Sequence, residues 1–181
     1  MVISPILVAC NSQMDACFGG YCHEGLEVIV MKMIRRIFII YCIVLSIALL
    51  FKFNLSVNSI MEKINSVRWS REQGAWNCNL IPFRTIFSQL SLFKTIPTIV
   101  IKNLFGNIAI FVPFGILLPM GYEAVRKYHR VFLVGLVYIL IIEFAQLICM
   151  LGAFDVDDII LNSIGISCGY VIFKITPKVL Q

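Results

Sequence analysis

Charge is scarce in this sequence. Only 14% of its 181 residues are Asp, Glu, Lys or Arg, against about 25% in soluble domains. That shortfall excludes an ordinary soluble globule. It excludes a disordered chain as well, which needs high charge and low hydrophobicity. Histidine is scarcer still, limited to His23 and His129. There is no G-x-S-x-G, no H-E-x-x-H and no P-loop, so a nucleophile–histidine relay and the common zinc and nucleotide motifs are missing. No cofactor and no metal centre is expected from these residues. The seven cysteines form no disulfide framework: Cys17 and Cys22-His23 lack a second pair, and Cys42, Cys149 and Cys168 lie in apolar runs, where Cys behaves as a small hydrophobe.

What is present is apolar: 60% of residues are hydrophobic and the mean hydropathy is +0.92. A membrane-spanning helix needs about 20 mostly apolar residues. Four stretches meet or approach this: Ile37 to Phe51, Leu104 to Met120, Val131 to Leu151 and Ile159 to Ile175. Pro113 interrupts the second and Gly165 and Gly169 the fourth, residues that membrane helices tolerate. The expected fold is therefore all-α and polytopic, with about four spans plus an interfacial or re-entrant segment.

The net charge of +5 belongs to membrane orientation, and nucleic acid is not an expected partner. Lys32, Arg35 and Arg36 precede the first span, Arg126, Lys127 and Arg130 fill the second connection, and Lys174 and Lys178 close the fourth. The third connection holds Asp155, Asp157 and Asp158 and no base. The positive-inside rule then predicts a bacterial cytoplasmic membrane protein with its N-terminus inside.

Three regions are expected. Residues 1–30 read as an N-terminal extension that a start at Met31 or Met33 would leave out, because MKMIRRIF begins as bacterial membrane proteins often do. Leu7-Val8-Ala9-Cys10 resembles a lipobox but lacks a basic n-region. Residues 31–78 hold the first span and an outer segment, a loop or short amphipathic helix, carrying both tryptophans, Trp69 and Trp76, which favours headgroup level. Residues 79–175 form the main membrane domain. Within it, Asn79 to Asn103 is apolar but broken by Pro82, Arg84, Lys94 and Pro97, which suits an interfacial or re-entrant helix; a fifth span is the alternative.

Polar residues inside the spans stand out, since a central charge costs on the order of 2.5–3.5 kcal/mol to insert. Glu143 and Gln146 share a face, as do Asn103 with Asn107 and Asp158 with Asn162. Counted from the outer ends, Asn107, Gln146 and Asn162 lie in one layer, with Glu143 about one turn deeper. The amides serve equally as helix–helix glue or as a site. Glu143 tilts the balance towards a site, because a carboxylate there must protonate or find a donor or cation. In the Asp155–Asp158 turn one Asp is expected as an N-cap. Clustered carboxylates also suit Mg²⁺ or Ca²⁺, though D-x-D-D is no EF-hand loop. Asp158, Asn162, Gly165 and Gly169 form one continuous small-or-polar helix face that packs closely on another helix, with Gly106, Pro113 and Gly115 as its candidate receivers.

These residues fall in four blocks: Asn79-Leu-Ile-Pro82-Phe83-Arg84; Asn103-x-x-Gly106-Asn107-x-x-x-Phe111-x-Pro113-x-Gly115; Glu143-x-x-Gln146; and Phe154-Asp155-x-Asp157-Asp158-x-x-x-Asn162-x-x-Gly165-x-x-x-Gly169. Together they resemble the VanZ-like membrane proteins, over about residues 79 to 173. The resemblance implies a small multi-helix protein of the bacterial envelope, linked to glycopeptide and specifically teicoplanin resistance. Members commonly carry an Arg shortly before the Phe-Asp-x-Asp-Asp block, where this chain has Gly152-Ala153. An anionic ligand held by that Arg would lose a contact here.

The leading expectation is a polar site in the outer leaflet that binds or modifies an envelope component. Glu143, Asp155 and Asp158 would supply acid–base groups. Arg84, Asn107, Gln146, Asp157 and Asn162 would bind. The expected partners are membrane lipids, an anionic lipid or a lipid-linked cell-wall precursor, and a helix–helix oligomer or envelope protein partner. Whether the protein is an enzyme stays open. A non-enzymatic scaffold packing through the Gly165/Gly169 face and a small proton-coupled transporter are the alternatives.

Overall fold

The computed structural model describes residues 28–51, 57–76 and 78–176. Expectations placed on residues 1–27, including the lipobox-like segment, Cys17 and Cys22-His23, lie outside the described residues. Among the described residues six α-helices run α1 (Val28–Leu50), α2 (Val57–Glu72), α3 (Arg84–Ser91), α4 (Pro97–Gly121), α5 (Tyr128–Ile148) and α6 (Val156–Ile175). Helices α1, α4, α5 and α6 are long and apolar enough to cross a membrane, so the all-α, four-span reading holds.

The helix boundaries correct the sequence reading in three places. Helix α1 starts at least at Val28, so Lys32, Arg35 and Arg36 ride on the helix. Helix α4 begins at Pro97, where a proline at the first helical position costs no hydrogen bond. Residues 97–103 therefore belong to a span, and the separate interfacial element shrinks to α3. At eight residues, α3 is far too short to be a fifth span. Helix α2 makes the outer loop helical, and Trp69 and Trp76 are both exposed.

Helices α4 and α6 run parallel and share the most extensive interface. A Cβ on Gly165 would lie 2.2 Å from the Ile108 carbonyl oxygen, and one on Gly169 would lie 2.1 Å from that of Val112. One on Gly115 would lie 2.2 Å from the Ile166 carbonyl. Only backbone hydrogens fit between the helices, which is how small residues let membrane helices approach. The Gly165/Gly169 face is thus occupied within the chain. Gly115 receives it as expected; Gly106 does not, since nothing lies within 4 Å of its Cβ position.

Helix α5 runs antiparallel to α6, with Gly135 against Ile166 and the Tyr128 ring tilted against that of Tyr170, centroids 5.3 Å apart. Helix α1 lies parallel to α5 and is tied to it by polar contacts. Tyr138 Oη donates to the Cys42 carbonyl at 2.9 Å and shares a 2.7 Å bond with Ser46 Oγ. The Tyr41 hydroxyl reaches the Ile110 carbonyl on α4, and Arg35 Nε caps the α4 C-terminus at the Gly121 carbonyl, 2.7 Å. Phe38, Phe111 and Phe114 fill the core between these helices. Large apolar side chains such as Ile40, Ile141 and Val171 cover the outside, as a hydrocarbon solvent requires.

Candidate functional site

The site forms at the end of the bundle where α5 finishes and α6 starts. Helix α5 ends in a Schellman motif: Leu151 N–H bonds the Gln146 carbonyl and Met150 N–H that of Leu147, with Met150 taking the left-handed conformation (φ 58) usually left to glycine. Arg71 on α2 also donates to the Leu147 carbonyl and lies over the Trp76 ring, 5.5 Å from its centroid. The turn returns the chain to a two-residue strand, Phe154–Asp155 (β2), which pairs in parallel with Cys78–Asn79 (β1). These short strands were not expected from the sequence.

The acidic turn then divides its work. Asp155 caps α6 by accepting Asp157 N–H at 2.9 Å. It also accepts Asn79 Nδ2 at 2.9 Å and the Thr85 hydroxyl at 2.7 Å. Asp157 is 0% exposed and caps a different helix. Its carboxylate accepts the backbone N–H groups of Phe83 (2.5 Å), Thr85 (2.7 Å) and Ile86 (3.1 Å), which are orphan donors at the start of α3. Phe83 itself sits at φ 66, a left-handed conformation that costs a non-glycine residue roughly 1–2 kcal/mol. Asp155 and Asp157 therefore clasp the 79–86 segment onto α6. The first and last motif blocks of the sequence, far apart in the chain, meet in this clasp.

Beneath the clasp is a cavity of about 540 Å³. Six of the eight singled-out residues line it: Asn107, Glu143, Gln146, Asp155, Asp158 and Asn162. Arg84 and Asp157 do not. Arg84 is exposed at the first residue of α3. Sequence reasoning missed Thr85, Gln89 and Lys102, which also line the cavity. Thr85 and Gln89 share one face of α3, while Phe87 and Leu90 on the other side are exposed; that amphipathic spacing was the available signal. Lys102 stands exposed one residue before Asn103, also in the lining.

Three spans contribute the deep polar groups. Glu143 is 3% exposed and accepts Asp155 N–H at 3.2 Å, so the α5 carboxylate is linked to the clasp. Asn107 Nδ2 donates to Asp158 Oδ1 at 2.7 Å, joining α4 to α6. Gln146, 2% exposed, donates from Nε2 to the Leu49 carbonyl at 2.9 Å. That bond fixes which end of its amide is oxygen, and Gln146 Oε1 is buried without a partner. Asn162 Oδ1 and Gln89 Oε1 are buried without partners as well. Buried polar atoms are satisfied in the great majority of cases, so three orphans lining one cavity stand out. Gly152 abuts this layer: a Cβ there would lie 2.9 Å from Gln146 Oε1. The position two residues ahead of the Phe-Asp-x-Asp-Asp block is thus closed to a side chain unless Gln146 moves. Among the described residues no group of three or more His, Cys, Asp or Glu is arranged to hold a metal ion.

Comparison with known proteins agrees with the motif blocks. The VanZ/LLP1 family model matches residues 38–177, so the match takes in α1 from residue 38 onward and α2 as well as the four blocks. Protein VanZ of Enterococcus faecium is 31% identical over 77 residues, 42% of this chain and 47% of that protein; the chain thus spans about half the length of this curated relative. No solved structure matches. With the motif blocks, the four apolar helices and the family match in agreement, the chain belongs to the VanZ/LLP1 family of membrane proteins.

Proposed function

We propose that the protein works in the bacterial cytoplasmic membrane by binding or modifying an envelope component in the cavity between α4, α5 and α6, and so contributes to glycopeptide resistance of the teicoplanin type. The observation that supports this reading is the convergence of three spans on one polar cavity with buried, unpartnered amide oxygens. Helix glue alone would leave such atoms paired with each other. Glu143 and Asp158 are its acid–base or ligand-holding groups, and Asn107, Gln146 and Asn162 orient the ligand. Asp155 and Asp157 position α3 over the cavity. Arg84, exposed at the head of that helix, meets lipid phosphate.

The orientation is N-terminus inside. Lys32, Arg35, Arg36, Arg126, Lys127, Arg130 and Lys174 gather at the end opposite the cavity, which then opens at the outer leaflet. The test is a resistance assay in a deletion strain complemented with Glu143→Gln or Asp158→Asn. Each substitution is expected to abolish the phenotype while membrane abundance stays at the wild-type level. Lost abundance, or a retained phenotype, would overturn the reading.

The Gly165/Gly169 face cannot carry the scaffold alternative, because it is spent on α4.

A further inference from the structure

We propose that the cavity takes a primary ammonium group, presented by an amine-bearing headgroup, and does not take an anion. The inference rests on the reading of the cavity as a binding site and specifies its ligand class.

Asn107 Nδ2 gives one N–H to Asp158, Gln146 Nε2 gives one to the Leu49 carbonyl, and the Thr85 hydroxyl goes to Asp155. Among the described residues, the buried lining atoms left without a partner are all acceptors: Gln146 Oε1 and Asn162 Oδ1, on side chains 2% and 3% exposed, and Gln89 Oε1. Around them stand the carboxylates of Glu143, Asp155 and Asp158, against one cationic lining residue among the described residues, Lys102.

An anion entering here would meet acceptors from α3, α5 and α6, and carboxylates of its own sign. A primary ammonium brings three N–H donors and a positive charge, which answers both the amide oxygens and the carboxylates. Lys102 is exposed and so stands at the rim. There it can take a phosphate attached to the same headgroup, which gives a zwitterion a fixed direction: ammonium deep, phosphate at the mouth. Gln146 Oε1 has its orientation set by the Leu49 carbonyl, so this acceptor does not depend on an arbitrary choice of amide rotamer.

The test uses the full chain reconstituted in phosphatidylcholine nanodiscs doped with phosphatidylethanolamine or with phosphatidylglycerol, read by native mass spectrometry of retained lipid. Phosphatidylcholine shares the phosphate and the positive charge but offers no N–H donor. Phosphatidylethanolamine is expected to be retained at least about tenfold over both. The preference should be lost in Asn162→Leu and in Gln146→Leu, two variants on different helices. Circular dichroism and melting of each variant separate lost binding from lost folding. Soluble ethanolamine and O-phosphoethanolamine serve as competitors. Displacement by either at millimolar concentration supports the ammonium chemistry with a soluble source, and no displacement supports a membrane lipid.

Preferred retention of phosphatidylglycerol, abolished by the same variants, overturns the ammonium assignment and leaves the binding cavity standing. Equal retention of all three lipids by wild type and variants overturns both.

Discussion

Replacing Asp157 by Asn separates a structural carboxylate from a ligand-binding one with a single atom. The side chain is fully buried and its two oxygens accept three backbone N–H groups, from Phe83, Thr85 and Ile86. An amide offers one oxygen. In the better of its two orientations the oxygen keeps Thr85 and Ile86 and the NH₂ faces the Phe83 N–H. One donor is then orphaned, at about 1–3 kcal/mol, and the remaining bonds fall from charge-assisted to neutral strength, a further loss of roughly 0.5–1.5 kcal/mol each. Relief of the cost of burying a charge offsets part of this, which leaves a net loss of about 2–4 kcal/mol. Phe83, held at φ 66, loses its restraint at the same time.

The loss is local, so it should appear as opening of residues 79–91 ahead of the bundle. Hydrogen exchange of that segment in nanodiscs is expected to accelerate about 30-fold or more, while α4 and α6 keep their protection. Unchanged exchange at Thr85 and Ile86 in Asp157→Asn would refute the assignment of Asp157 as the cap of α3.

Other outcomes follow from the same contacts. Gly169→Leu places a Cβ 2.1 Å from the Val112 carbonyl oxygen, against backbone that cannot yield; it should lower the melting temperature in detergent sharply, by several kcal/mol of stability, and a near-wild-type melt would show that α4 and α6 do not pack this closely. Gly152→Ala drives the Gln146 amide aside by crowding Oε1 at 2.9 Å; lipid retention should fall with little change in melting, and unaltered retention would argue that Gln146 does not face the ligand. Cys78 and Cys149 are exposed at the cavity end; single-cysteine variants keeping either one should react with a membrane-impermeant maleimide on intact cells, and labelling only after permeabilisation would invert the topology.

The sequence determined the number of spans because apolar length is a local property: each of α1, α4, α5 and α6 is visible as a run long enough to cross hydrocarbon. It also marked the polar residues that stand out in the spans, since Glu143, Gln146, Asn107 and Asn162 are costly there wherever they point. The Gly165/Gly169 face was legible from its helical spacing, and so was its close packing.

What each polar residue does was decided only in three dimensions. Asp155, Asp157 and Asp158 look alike along the chain. Asp155 caps its own helix, Asp157 caps α3 about seventy residues away in sequence, and Asp158 joins Asn107 across α4. Hydrogen bonding of side chains to distant backbone leaves no period in the sequence. Lys102 comes into the cavity through the placement of the start of α4, which no local pattern announces, whereas Gln89 sits on the face of α3 that its amphipathic spacing marks. The sequence thus set the membrane as the solvent, and the tertiary structure sorted its few polar groups into those spent on holding the fold and those whose oxygens stay unpartnered at the cavity.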